Sequence, residues 1–331
     1  MSLNIPNIST PPAVDPADVS PTFNFQTQHH PPYNVPQDLI LFTRKPRVMF
    51  YTHQKLLLAK SINSFGKLLS PEAIEGMKSM SANGTQPLTL SVTESSEIII
   101  CLLRLLYVRS IGSAIIIGIS DSFGILYGNK HPQRMKGMSI RECGPSTESL
   151  GQLFTALLKY GYALDKVISP SSDPFAYLLL LADEKPLQIY SLAAHYSFEA
   201  LAVPASTKAL RIGLSDVDEP LAITMGPLYL LRLMHLHLSR LNRLKSLLLS
   251  PPAMHNDTDT CKLHDRLSVQ RAFGLTAGYL TWEATASVEA EWIRGFFEGV
   301  LKDIECVLCS KNVRRRMDEV LEEWKDTKAT I

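Results

Sequence analysis

Apolar residues recur along the chain in two periods, and the change of period organises it. "DLILFT" and "RVMFYTH" (38–53) are short apolar runs parted by "RKP", whose proline breaks both, and they read as a strand pair. A three- and four-residue period follows in "HQKLLLAKSINSFGKLLSP": Leu57, Ser61, Phe65 and Leu68 share one helical face, and Pro71 marks the end. After the turn signal Asn83-Gly84, "PLTLSV" alternates as a strand. Thr93 stands where an N-cap belongs, ahead of the apolar helix "ESSEIIICLLRLLY". From Leu150 onward the helical period dominates, in "LGQLFTALLKYGYALDKVI", "PLQIYSLAAHYSFEALAVPASTKALR" and "GPLYLLRLMHLHLSRLNRLKSLLL". Past the polar break "PPAMHNDTDTCKLHD" come three more helical patterns. The last carries Val313, Met317, Val320, Leu321 and Trp324 as one apolar stripe.

Two stretches lack a period. Residues 1–36 are rich in Pro, Ser, Thr, Asn and Gln and poor in aliphatics, so they cannot bury enough surface to offset chain entropy and read as a disordered tail. Residues 109–146 carry six glycines and the basic run "GNKHPQRMKG". They read as an insertion, either a genuine loop or unspliced codons.

Composition narrows the function classes. The 331 residues are 45% hydrophobic and 20% charged with net charge +1, a globular balance and not that of a chain built to coat nucleic acid. Five cysteines in this length make no disulfide scaffold. The N-terminus lacks the basic-then-apolar order of a signal peptide. The most apolar runs, Ser113 to Ile119 and Tyr177 to Ala182, fall short of the ~20 residues of a membrane helix. These features predict a reducing, intracellular setting, cytoplasmic or nuclear.

Candidate chemistry gathers near the end. "CKLH" pairs Cys261 with His264, and "CVLC" pairs Cys306 with Cys309. Each spacing lets one tight turn aim two ligands at one point, and the four together suit a tetrahedral structural zinc with no open position for catalysis. The alternative is two small buried thiols beside the stripe Phe296, Phe297, Val300 and Ile304, with His264 solvated. His235 and His237 lie two apart in one helix, one facing in and one out, so they form no ligand pair. Arg314 to Arg316, followed by Asp318, Glu319, Glu322 and Glu323, read as an ion-paired solvated face. No phosphate loop, Gly-x-Ser-x-Gly or His-Glu-x-x-His occurs, so no enzyme is expected.

Segment 38–107 resembles a BTB/POZ domain. The likeness rests on Asp38 opening the first strand, "FYTH" with a helix directly after His53, Leu57 and Ser61, and "LTLSVTESSEIIICLLRLLY" ending in Leu106 and Tyr107. The remainder resembles the helical extension of fungal BTB-domain proteins, in "KYGYALDKVI", "PLQIYSLAAHYSFEALAVPASTKALR", "AFGLTAGYLTWEA", "CVLC" and "EEWKDTKATI". It departs at Gln54, at Ile62 and over 109–146. The resemblance implies an α+β fold: a small mixed sheet flanked by helices over 37–168, then an all-α extension over 169–331. It implies homodimerisation through Leu39, Ile40, Leu41, Leu57 and Leu58, and a partner surface around Val92 and Glu94. It also implies a protein–protein interaction role with no direct nucleic-acid or membrane partner. The partner expected is a cullin scaffold, with this chain as a ubiquitin-ligase substrate adaptor. A dimerising scaffold in transcription-associated complexes is the alternative, and an enzyme of unknown type a third reading.

Overall fold

The computed structural model describes residues 37–44, 47–80, 87–110 and 146–331. The expected tail, the Asn83-Gly84 turn, Cys143 and residues 111–145 of the expected insertion lie outside the described residues. The class is mixed α+β. The chain divides into two compact units, Met1–Pro174 and Phe175–Ile331, where the sequence reading sets a boundary after 168.

In the first unit, β1 (Leu39–Arg44) and β2 (Arg47–Thr52) form an antiparallel hairpin, and β3 (Leu88–Val92) lies parallel to β1 on its other side. The register places Leu41 opposite both Phe50 and Leu90, so alternation buries Leu39, Leu41, Val48, Phe50, Leu90 and Val92 together. Thr43 and Thr52 are buried on the same face. Each hydroxyl donates to a backbone carbonyl, of Val48 and Leu39 respectively, so neither is left unsatisfied.

The helix expected over 53–70 is broken. Only α1 (Gln54–Leu58) forms, and α2 begins at the proline (Pro71–Met80). Between them Ser64, Phe65, Gly66 and Lys67 take left-handed backbone angles. The cause is polar competition that a periodicity cannot express. Ser61 Oγ accepts the Phe65 N–H at 2.7 Å and donates to the Tyr160 carbonyl at 2.7 Å. Asn63 accepts the Gly66 N–H and donates to the Lys159 carbonyl. Phe65 is thereby buried and stacked on Tyr160, with ring centroids 4.1 Å apart.

The apolar helix after β3 is α3 (Ser96–Ser110), burying Ile98, Ile99, Leu102, Leu103 and Leu106. Its cap is Ser95, whose Oγ accepts the Ile98 N–H, and not Thr93. Thr93 instead accepts from Lys159 Nζ at 2.8 Å. Then α4 (Thr147–Lys159), capped by Ser146, buries Leu150, Leu153, Phe154 and Leu157. A turn at Gly161 leads to the short α5 (Leu164–Val167).

The second unit is helical: α6 (Asp173–Glu184) enters it, followed by α7 (Pro186–His195), α8 (Glu199–Ala209) and α9 (Glu219–Leu248). Next come α10 (Leu263–Glu283), α11 (Ala290–Lys302) and α12 (Val307–Lys325). α9 kinks at Gly226-Pro227. Its C-terminal half joins α10, α11 and α12 around one core that includes Leu244, Leu248, Phe273, Phe297, Met317 and Trp324. The stripe expected on the last helix is that core face. On α11 the buried positions are Ile293, Phe297 and Leu301.

By length and composition alone α9 could cross a membrane. Its C-terminal half joins the core, yet 28% of its most apolar window is buried and Ile223, Leu228, Leu231 and Met234 are exposed. Its buried Arg240 donates to the carbonyls of Ala286, Thr327 and Lys328 and lies 4.3 Å from the Trp324 ring centroid. His237 is buried and His235 exposed.

Candidate metal centre

Three sequence segments meet at one point of the second unit. The loop after α9 supplies His255, the turn before α10 supplies Cys261, and the start of α12 supplies Cys306 and Cys309. Cys306 is the N-cap of α12 and Cys309 lies in its first turn, so helical geometry itself converges the two thiols. Cys261 is fully buried at the end of a turn that Thr258 closes by donating to the Cys261 carbonyl.

The distances suit a tetrahedral ion. His255 Nε2 lies 3.3 Å from Cys309 Sγ and 3.4 Å from Cys306 Sγ, and Cys261 Sγ lies 3.8 Å from Cys309 Sγ. All four ligand atoms fall within 4.8 Å of one another. Bonds of about 2.3 Å to sulfur and about 2.0–2.1 Å to nitrogen at tetrahedral angles require S···S near 3.8 Å and S···N near 3.6 Å. These three separations come within a few tenths of an ångström of a Cys₃His site, and the tetrad could hold a metal ion. His255 also has the right tautomer within reach. Its Nδ1 lies 2.6 Å from the Asn256 carbonyl, so that nitrogen carries the proton and Nε2 turns its lone pair to the sulfurs.

The thiols are not equivalent. The Cys309 N–H donates to Cys306 Sγ, with the Leu308 N–H also contributing, and the Cys306 pKa falls to about 7. Burial pushes Cys309 up to about 12 and raises Cys261 as well. Metal ligation needs thiolates, so uptake must release protons and weaken as pH falls.

The structure brings together three of the four residues expected from the sequence and replaces the fourth. His264 is 83% exposed and sits against Asp265 at 2.8 Å. The reason is helical phase. α10 starts at Leu263, with Asp265 accepting the Lys262 N–H. Arg266, two residues after His264, faces inward, so His264 points out. His255 was legible only as a histidine in the polar break, six residues ahead of Cys261. Nothing local marks it as a ligand.

The residues expected at interfaces fall into two groups. Leu39, Leu41, Leu57 and Val92 are buried core residues of the first unit. Ile40 and Leu58 remain partly exposed. Glu94 is half-buried, taking Lys159 Nζ at 2.5 Å and the Tyr160 hydroxyl. In the basic run of α12, Arg315 and Arg316 pair with Glu319. Arg316 also donates to the carbonyls of Leu247 and Ser250, closing the end of α9.

Comparison of the chain with family models, with curated proteins and with solved structures gave no match.

Proposed function

We propose that this chain is a non-catalytic protein–protein interaction protein. Its first unit acts as a BTB-type dimerising module, and its second unit is a helical extension stabilised by zinc in the Cys₃His centre. The observation that carries the reading is the sheet. A hairpin takes a third strand parallel to its first, and a helix begins directly after His53, the arrangement the resemblance leads one to expect. The metal centre supports it from the other side. Three thiolates and one imidazole close a tetrahedral shell and leave no position for a substrate, so the ion's work is structural. Zinc is favoured because sulfur-rich tetrahedral sets suit it and because it brings no redox chemistry of its own.

The burial pattern sharpens the dimer surface to Ile40 and Leu58, since Leu39, Leu41 and Leu57 are occupied in their own core. The free thiols of Cys261, Cys306 and Cys309 fit a reducing compartment, cytoplasm or nucleus.

Light scattering of the full chain is expected to give a dimer, and Ile40→Asp with Leu58→Asp a folded monomer. A wild-type monomer at micromolar concentration would sink the dimer reading. Affinity capture from source extract tests the partner. A stoichiometric cullin scaffold supports a substrate-adaptor role, and recovery of only chromatin-associated proteins favours the transcription-scaffold alternative.

A further inference from the structure

A buried cation holds the loop that carries His255. Arg266 is buried, 7% exposed, in the first turn of α10. Its guanidinium donates to the His255 carbonyl through Nη1 and to Asp257 Oδ1 through Nη2. The segment 251–260 contains no helix or strand, so its backbone relies on such contacts for its path. Arg266 thus grips the loop at the ligand and two residues beyond it. A planar guanidinium does this with two fixed donors, which a lysine cannot reproduce.

The guanidinium's charge is paired with Asp257, but one donor remains: its Nε is buried without a hydrogen-bond partner. Arg266 and Cys309 also line one void of about 10 Å³, room for about one water. A buried guanidinium N–H left unpaired is costly, and a water in that void would give it a partner on the side of Cys309.

We infer that Arg266 is the positioning residue of the metal centre, orienting His255 through its backbone carbonyl and bracing the ligand loop at Asp257. This rests on the zinc reading above, and it assigns a role to a residue outside the four ligands.

The test uses the full chain as wild type, Arg266→Met and Arg266→Lys. Zinc affinity is measured by competition with a chromophoric chelator, and ligand geometry by the absorption of the cobalt(II)-substituted protein. Arg266→Met is expected to weaken zinc about 10- to 100-fold, the usual effect of losing an outer-shell partner, and to shift the cobalt bands. Arg266→Lys keeps the charge without the two-pronged grip and is expected to fall between the two. Far-UV dichroism of the metal-free variants checks that they fold. If Arg266→Met does not, Arg266→Lys decides: affinity and cobalt spectrum equal to wild type overturn the inference. Equal affinity and spectrum in Arg266→Met do the same. A wild-type chain that takes up neither zinc nor cobalt(II) overturns the zinc reading itself, a distinct result.

Discussion

Single residues carry two sharp consequences. His255 and His264 sit on either side of Cys261, and geometry gives them opposite fates: one lies 3.3–3.4 Å from two thiols, the other is 83% exposed. His255→Ala is expected to release the metal on dialysis and to lower the stability of the second unit by more than about 2 kcal/mol. His264→Ala is expected to stay within about 0.5 kcal/mol with full metal content. Elemental analysis with chemical denaturation checks both, and metal loss from the His264 variant alone would reverse the assignment. Glu94 carries the other. Burial works to raise its pKa, but the hydrogen bonds from Lys159 and Tyr160, with its own backbone and the Lys159 charge, outweigh that and hold it below the ordinary 4.5. A carboxylate with a depressed native pKa adds stability that is fully present above the unfolded value and drains away as pH falls through the native one. The wild-type first unit should therefore lose stability below about pH 4.5 more steeply than Glu94→Gln, whose neutral-pH stability is already lower. Denaturation midpoints from pH 2 to 7 read the difference, and parallel curves would exclude it.

At the scale of elements, two glycines end or bend helices for different reasons. Gly226, at φ 71° and ψ 165°, occupies a region that only glycine reaches comfortably, yet a Cβ there would meet nothing within 4 Å. Gly161, at φ 80°, would drive a Cβ to 2.3 Å from Asn63 Oδ1 and 2.9 Å from its backbone nitrogen. Gly226→Ala should cost only the backbone strain, about 1–3 kcal/mol. Gly161→Ala should cost clearly more, because it also dislodges the Asn63 loop that α4 holds in place. Thermal unfolding of the pair gives the ranking, and equal losses would refute it. The same loop explains why one expected helix is absent. Leu57 and Phe65 are both buried, as their spacing predicts, but they are buried from a chain that turns between them. Periodicity placed Leu57 and Phe65 correctly, but Ser61 and Leu68 are only partly buried, Leu69 takes the core position at the end, and the connecting conformation differs.

For the whole molecule, the proposed metal offers a way to tell the two units apart by experiment. All three tryptophans, Trp282, Trp292 and Trp324, belong to the second unit, and Trp324 lies in the core formed by α9, α10, α11 and α12. A metal held by the tetrad would tie the loop after α9 to the starts of α10 and α12 and so constrain three of those four helices at one point. Chelation is expected to lower the unfolding temperature followed by tryptophan fluorescence by several degrees or more, since metal binding energy is folding energy for such a site. A zinc titration should restore it. An unchanged tryptophan transition after confirmed metal removal would deny the centre its structural role.

Much of this protein is legible along the chain. Strand alternation in "LILFT", "VMFYT" and "LTLSV", the helical stripes of the second half, the opposed faces of His235 and His237, and three cysteines of the centre are all readable from neighbours along the chain. Their cause is local: side-chain period and backbone geometry are set within a few residues. The identity of the fourth candidate ligand, the unwinding between α1 and α2, and the burial of Arg266 and Arg240 came from the folded chain. Each depends on groups far apart in sequence: His255 on thiols 51 and 54 residues away, and Ser61 on a carbonyl 99 residues away. A spacing rule favours the nearer histidine. The fold chose the one whose loop, held by Arg266, delivers its nitrogen to the sulfurs.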